Sequence, residues 1–158
     1  VGIGGKKWSI VDTSVAKGHY AGTFTHSFDA KGRITVPSEW RSELHEKHLF
    51  VLPSGEKSLK IYPASWIARQ QESLHGFALN DPRRKAWESL MARSQNINRQ
   101  DEQGRVIVRE DLRVWAGLKK SALLLGCADH FEIWRPELRQ EQAGADMTFE
   151  QAAQLIGI

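Results

Sequence analysis

The sequence predicts an α+β, β-rich fold: a single β-barrel with internal pseudo-two-fold symmetry and short flanking helices. Three observations point there. Residues 29–33 and 101–105 both read Asp-x-x-Gly-Arg, and each is followed by strand-favouring residues, Ile-Thr-Val and Val-Ile-Val. A shift of 72 residues superimposes Asp29 on Asp101, Gly32 on Gly104, Arg33 on Arg105, Arg41 on Arg113, Leu52 on Leu124 and Ile61 on Ile133; it holds without a gap from residue 29 to about 62. A unit of about 55 residues buries too little surface to stand alone. Two units can complete each other's sheet, and barrel closure removes exposed strand edges.

Each copy reads as strand, turn, strand, helix, strand, strand. The first strand, YAGTFTHSF, sets Tyr20, Phe24 and Phe28 on one face, interrupted by Gly22. Asp-x-x-Gly is turn chemistry: aspartate accepts backbone N–H groups ahead of it, and glycine tolerates positive φ. The flanking strands are therefore expected to form a hairpin. A helix should follow over EWRSELHEK, with Ser38 as N-cap and Trp40 and Leu44 as an i, i+4 pair. Its counterpart is DLRVWAGL, opened by Glu110 or Asp111, with Leu112, Trp115 and Ala116 on one side and Gly117 as its stop. Strands LFVLP and SLKIYP close copy one; ALLLG and HFEIWRP close copy two.

Between the copies, PASWIARQQESLHGF and NDPRRKAWESLMARSQ read as helices. Asp81 is a cap, Pro82 suits the first helical position, and Trp87, Leu90 and Met91 make an apolar stripe for packing. A last helix begins at Thr148, where Thr148 and Gln151 fit a capping box. The organisation is thus an N-terminal extension over 1–18, rich in glycine and lysine and expected to be mobile, a first repeat over 19–66, a helical connection over 67–98, a second repeat over 99–140, and a helical tail over 141–158.

The chain has 158 residues, 41% of them hydrophobic, and a net charge of +3. No apolar run approaches the ~20 residues that cross a bilayer. The N-terminal stretch lacks a continuous apolar core, so a cytoplasmic chain without a signal peptide is expected. Charge is polarised: residues 76–100 carry five Arg and Lys against two acids, whereas 141–158 carry three acids and no Arg or Lys. The single cysteine, Cys127, can form neither an internal disulfide nor a Cys-based zinc site, and is expected to be a buried, inert thiol.

Several stretches together resemble the MraZ family of bacterial transcriptional regulators: the two Asp-x-x-Gly-Arg copies, KGRITVPSEWR, IYPASW, NDPRR, LRVWAGL and FEIW. The resemblance covers about residues 20–140. It implies a double-split version of the AbrB-like swapped-hairpin barrel, with both halves on one chain. It also implies a protein that binds short direct repeats in double-stranded DNA upstream of the division and cell-wall gene cluster containing its own gene. Such a protein typically represses that cluster and assembles into a closed homo-oligomeric ring. It would be cytoplasmic and nucleoid-associated.

Carried over residue by residue, the resemblance puts Lys31 and Arg33 on DNA, with Arg105 matching in copy two. Gln103 replaces the lysine there, so copy two either brings less charge or reads a base edge. Arginine pairs bidentately with phosphate or with guanine, and lysine suits a phosphate contact. A plainer role competes: Asp29 with Arg33, and Asp101 with Arg105, can be ion pairs that stiffen each turn. Turn chemistry alone accounts for Asp29, Gly32, Asp101 and Gly104. Arg83, Arg84 and Lys85 read as a solvated helix face or as secondary phosphate contacts.

No enzyme is expected, nor any cofactor, catalytic set or metal. GIGGKK lacks the spacing of a phosphate loop and a leading strand. His45 and His48 share a face of the predicted helix without a third ligand, and His19, His26, His75 and His130 form no local constellation. The alternative function is a ring-forming scaffold or interaction protein on the same fold, with weakened DNA binding.

Overall fold

The computed structural model describes residues 17–143 and 146–158. The expected extension over 1–18 therefore lies outside the described residues apart from its last two. Eight strands are present: β1 (Thr23–Ser27), β2 (Arg33–Thr35), β3 (Leu49–Pro53), β4 (Leu59–Pro63), β5 (Gln95–Ile97), β6 (Arg105–Ile107), β7 (Ser121–Gly126) and β8 (Phe131–Trp134). Every pairing is antiparallel. Six strands form one sheet in the order β1-β7-β8-β4-β3-β5, and β2 and β6 form a separate ribbon.

This order exchanges strands between the copies. The first strand of copy one, β1, pairs with β7 of copy two, and β5, which lies at the end of the 67–98 stretch expected as a helical connection and serves as the first strand of copy two, pairs with β3 of copy one. At the centre, β4 pairs with its own counterpart β8, and β2 with its counterpart β6. Swapping the copies leaves the pattern of pairings unchanged.

Three expectations are corrected here. The strands flanking each Asp-x-x-Gly turn do not pair with each other. The turn closes on itself, with the Gly32 N–H donating to Asp29 O at 3.0 Å and the Asp29 N–H to Arg33 O at 2.9 Å. Gly32 then takes φ +78° and sends β2 to the other copy. Nor does the six-stranded sheet close: among the described residues no pairing joins its outer strands β1 and β5. β5 is only three residues long, so its ladder ends before the sheet comes round. The β2–β6 ribbon instead lays Ile34 and Val106 on the core shared with Val51, Leu59, Leu124 and Ile133.

The constant offset is the third. Val51 opposes Ile61, and Leu124 opposes Ile133, so the partner of Leu124 is Val51 rather than Leu52. The β7–β8 loop is one residue shorter than the β3–β4 loop, which absorbs the slip: Gly126 opposes Phe131, whereas Pro53 opposes Leu59. A one-residue slip reverses a strand's faces, and here the pairing with β4 and β8 sets the register.

The helix expected over EWRSELHEK is only a 3-10 turn, Ser38–Trp40. Ser38 does not cap it; its hydroxyl donates to Glu39 Oε1 at 3.2 Å. Local side-chain bonds take over the chain beyond: Arg41 Nε donates to Val36 O, and Ser42 Oγ meets His45 Nδ1. Leu44 is 55% exposed and not a partner for Trp40. Trp40 itself is only 2% exposed, packs within 5.7 Å of Tyr20, Phe24 and Phe131, and donates Nε1–H to Ala21 O at 3.0 Å. Burying such a ring stabilises by roughly 3 kcal/mol.

Copy two does form its helix, α3 (Glu110–Trp115), with Leu112 and Ala116 buried and Gly117 at φ +63° ending it. The helices before it are α1 (Ala64–Leu74) and α2 (Pro82–Arg93), the latter capped by Asp81 with Pro82 in its first turn as expected. They are surface helices: α1 buries only Ile67, and Trp87, Leu90 and Met91 are half-buried. α4 (Pro136–Ala143) and α5 (Phe149–Ile156) end the chain, α5 opening on the expected Thr148–Gln151 capping box.

Candidate nucleic-acid interface

The two Asp-x-x-Gly-Arg segments are near copies in three dimensions. Asp29 Oδ1 accepts the Lys31 and Arg33 N–H groups, both at 2.9 Å, and Oδ2 accepts Arg33 Nε–H at 2.6 Å. Asp101 Oδ1 accepts the Gln103 and Arg105 N–H groups, both at 2.9 Å, and Oδ2 accepts Arg105 Nε–H at 2.7 Å. Each aspartate thus accepts three N–H groups from its own turn, and both Asp–Arg ion pairs are formed. Each pair uses only Nε. Among the described residues, the terminal nitrogens of Arg33 and Arg105 have no hydrogen-bond partner.

These contacts set the aspartate titrations. The Arg33 backbone N–H above all, with its guanidinium and the Lys31 N–H, holds Asp29 below the ordinary 3.8 despite an opposing desolvation. The Arg105 and Gln103 groups do the same for Asp101. A carboxylate with a depressed folded-state pKa stabilises above its unfolded value, and that contribution is lost as pH falls through the folded value. Acid destabilisation should thus include a component below about pH 4 from both turns. Thermal midpoints across pH 2–6 should fall less steeply in the Asp29→Asn, Asp101→Asn double variant than in the wild type.

Pairing in the ribbon aims the two arginines together. Ile34 opposes Val106, and both are buried; alternation puts Arg33, Thr35, Arg105 and Ile107 on the opposite, outward face. Arg33 lies across from Ile107 and Arg105 across from Thr35, so the arginines are diagonal neighbours, about 7–8 Å apart at their backbones. Both line one open groove of about 600 Å³, with Asn96, Asn98, Arg99 and Gln100 along its side. Lys31 is exposed, and its side chain has no ion pair or hydrogen bond among the described residues. At the matching tip Gln103 is exposed beside Glu102, which places an acid where copy one has Ala30.

The turns are clamped from the other copy. Arg41 of copy one donates Nε–H to Val36 O at 2.8 Å and lies against Gly104. Arg113 of copy two donates Nε–H to Val108 O at 2.9 Å and lies against Gly32, where an added Cβ would sit 2.9 Å from Nη2. Gly32 and Gly104, each at φ +78°, thus supply both a conformation and space. The strand ends also match: Pro37 and Arg109 share a backbone conformation, at φ −52°, ψ 143° and φ −55°, ψ 146°. Arginine brings an N–H that proline lacks, and Gln95 Oε1 accepts it at 2.9 Å while Gln95 Nε2 donates to Ile107 O at 2.7 Å.

The other basic candidates lie on α2. Arg83 pairs with Asp81 at 2.8 Å and stacks over Phe77, and Arg84 donates to the Leu74 and Phe77 carbonyls. Arg84 ties α2 to the end of α1 and Arg83 holds the connection between them, while Lys85 is exposed with no such bond among the described residues. His45 and His48 are not brought together: His45 meets Ser42 and His19 O, and His48 meets Asn96. Sequence reasoning gave no role to Glu102, to the asparagines and Arg99 of the groove, or to the clamp by Arg41 and Arg113. The clamp had a signal, since those two arginines match at the repeat offset. The groove had none, because pairing between copies creates it.

Two stretches of the chain, residues 19–90 and 91–155, match the family described as "MraZ protein, putative antitoxin-like". The chain is 33% identical over 126 residues to the protein named transcriptional regulator MraZ of Corynebacterium urealyticum, covering 80% of this chain and 87% of that one. To the protein of the same name from Corynebacterium jeikeium it is 36% identical over 119 residues, covering 75% and 82%. To that of Clostridium tetani it is 31% identical over 136 residues, covering 85% and 94%. The two matched stretches fall on the two copies that exchange strands, and relatives align along most of their own length; the chain belongs to the MraZ family.

Proposed function

We propose that this protein is a sequence-specific DNA-binding transcriptional regulator, a repressor of its own division and cell-wall gene cluster that binds short direct repeats. One observation carries the reading: two arginines from distant parts of the chain share the outward face of a two-stranded ribbon, with their terminal nitrogens unpaired among the described residues. Such a ribbon fits the major groove, where a guanidinium pairs with guanine and an apolar side chain contacts a thymine methyl. Ile107, 55% exposed on that same face, suits the second role. Lys31 takes a phosphate, and Gln103 takes a base edge or a weaker phosphate contact. Arg83, Arg84 and Lys85 are secondary phosphate contacts, led by Lys85. The relatives' shared name, transcriptional regulator, agrees with this assignment.

The fold reading that accompanies it is the AbrB-like swapped-hairpin arrangement in pseudo-two-fold form, with the sheet left open between β1 and β5 among the described residues. A subunit of net charge +3 binds DNA weakly alone. A homo-oligomeric ring on successive repeats multiplies affinity through effective concentration. Such a protein works in the cytoplasm on the nucleoid, and no helix among the described residues is long and apolar enough to cross a membrane. The test is binding to the DNA upstream of its own gene and to random DNA at several salt concentrations, with native mass measurement of the free protein. A sequence-specific shift that weakens with salt is expected. No preference over random DNA at any salt would favour the second reading, a ring-forming scaffold. The specific observation for that reading is the apolar face of α5, where Phe149, Leu155 and Ile156 are each at least 70% exposed.

A further inference from the structure

The β7–β8 turn gathers side chains that the DNA-binding reading leaves unused. Spacing alone gives Cys127 and His130 no partners and leaves the lone thiol out of any zinc site, yet the fold departs from that expectation by bringing ligand atoms of Cys127, His130 and Glu132 within 4.8 Å of one another. Cys127 is half-buried rather than buried. The backbone explains the convergence. The Cys127 N–H donates to His130 O at 2.9 Å, closing a turn that Ala128 completes at φ +69°. His130 then precedes β8, and Glu132 lies two residues further, on the same face of the strand.

Each candidate ligand is held. Asp129 Oδ1 lies 2.8 Å from His130 Nδ1, which fixes the ring and leaves Nε2 facing Glu132 Oε2 at 3.2 Å. Trp134 Nε1–H donates to the other Glu132 oxygen at 2.8 Å, so the carboxylate is oriented as well. Tyr62 stacks on the imidazole at 4.3 Å between centroids, and the His130 and Glu132 side chains are only 12% and 14% exposed. An ion pair between a charged imidazole and two carboxylates explains the histidine and the acids. The thiol converges on the same cluster while its S–H makes only a long bond, to Leu125 O at 3.7 Å.

We propose that Cys127 Sγ, His130 Nε2 and Glu132 Oε2 form a site for a divalent transition metal of the zinc class, with Asp129 as the outer carboxylate on His130 Nδ1. Sulfur, imidazole and carboxylate together suit a borderline-soft ion, and three protein ligands leave a fourth tetrahedral position for water. A carboxylate behind a ligating histidine is the usual outer contact and affects affinity about 10–100-fold. Zinc bonds of about 2.0–2.3 Å require the donors to close by roughly an ångström, within reach of side-chain rotation. Binding displaces the Nε2 and thiol protons to solvent. The metal would staple a turn that also holds Tyr20, whose N–H and C=O exchange bonds with Ala128, both at 2.9 Å.

The test uses untagged, reduced, full-length protein stripped with chelator and titrated with Co²⁺ and then Zn²⁺. One ion per chain is expected, with a thiolate-to-cobalt charge-transfer band that zinc bleaches. Cys127→Ser should abolish the band, His130→Asn should weaken binding at least ~10-fold, and Asp129→Asn should weaken it ~10–100-fold. His75→Asn, outside the site, should change nothing. Thermal unfolding should show a metal-dependent rise in wild type and in His75→Asn that is absent in Cys127→Ser. Absence of stoichiometric binding, or a wild-type cobalt spectrum lacking the thiolate band, overturns the proposal without reference to any variant's folding. Equal affinity in wild type and His130→Asn overturns it too.

Discussion

Arg33→Ala should weaken binding to the upstream DNA by roughly 10–100-fold per engaged ribbon while leaving the thermal midpoint nearly unchanged. The two halves of that expectation come from different nitrogens. Nε belongs to the turn through Asp29, and an exposed pair of this kind adds little to stability. The terminal nitrogens have no partner among the described residues, and in the proposed function they are the ones that contact DNA. A ring that engages several ribbons multiplies the loss, so the assembled protein should suffer more than a dissociated subunit. Arg105→Ala should cost less, because Glu102 already repels phosphate at that tip. The same logic runs in reverse for Glu102→Gln, which should tighten binding, most visibly at low salt. Lys31→Ala should weaken all sequences alike and reduce the salt slope by about one per contact. Anisotropy titrations on operator and scrambled DNA at three salt concentrations separate these cases. Wild-type affinity in Arg33→Ala would remove Arg33 from the interface, and unchanged affinity in Glu102→Gln would remove the electrostatic account of the asymmetry.

Much of this arrangement was legible in the sequence because repeats expose it. Asp29 and Asp101 were readable as turn formers, and both accept the N–H groups that turn chemistry assigns them. Gly117, Asp81 and the Thr148–Gln151 box were readable because a cap is a local event. What escaped is nonlocal. Nothing within FDAKGRITVP says that β2 prefers β6 to β1, because either pairing satisfies the same backbone groups. The short helix after Pro37 escaped because Arg41, Ser42 and His45 bond locally and outcompete helical ladders. The slip that replaces Leu52 by Val51 as the partner of Leu124 also escaped, since leucine at either position satisfies a sequence match. Only the strand register distinguishes them, because Val51 and Leu52 are both buried. At the candidate interface, the two arginines were visible one at a time; their shared face required the ribbon.

Substituting Gly104 tests the exchange between copies most directly, and Gly104→Val should destabilise by about 2–4 kcal/mol. A β-branched residue at φ +78° is strained by itself, and its Cβ would press on the Cδ and Nε of Arg41. Those atoms cannot retreat freely, because Nε is bonded to Val36 O at 2.8 Å. Gly32→Val meets the same backbone strain but presses first on Nη2, the far end of Arg113, which can swing away. Gly104 should therefore be the costlier of two positions that the repeat makes equivalent. The clash, as opposed to the strain, is separable by a cycle with Arg41→Ala. If the arginine of copy one clamps the turn of copy two, Arg41→Ala should cost about 1 kcal/mol less in Gly104→Ala than in wild type. Additive effects in urea unfolding would mean that the two copies do not communicate through this contact. A coupled result would tie the stability of one recognition turn to a side chain anchored in the other copy's strand, which explains why the two halves of the chain fold as one device.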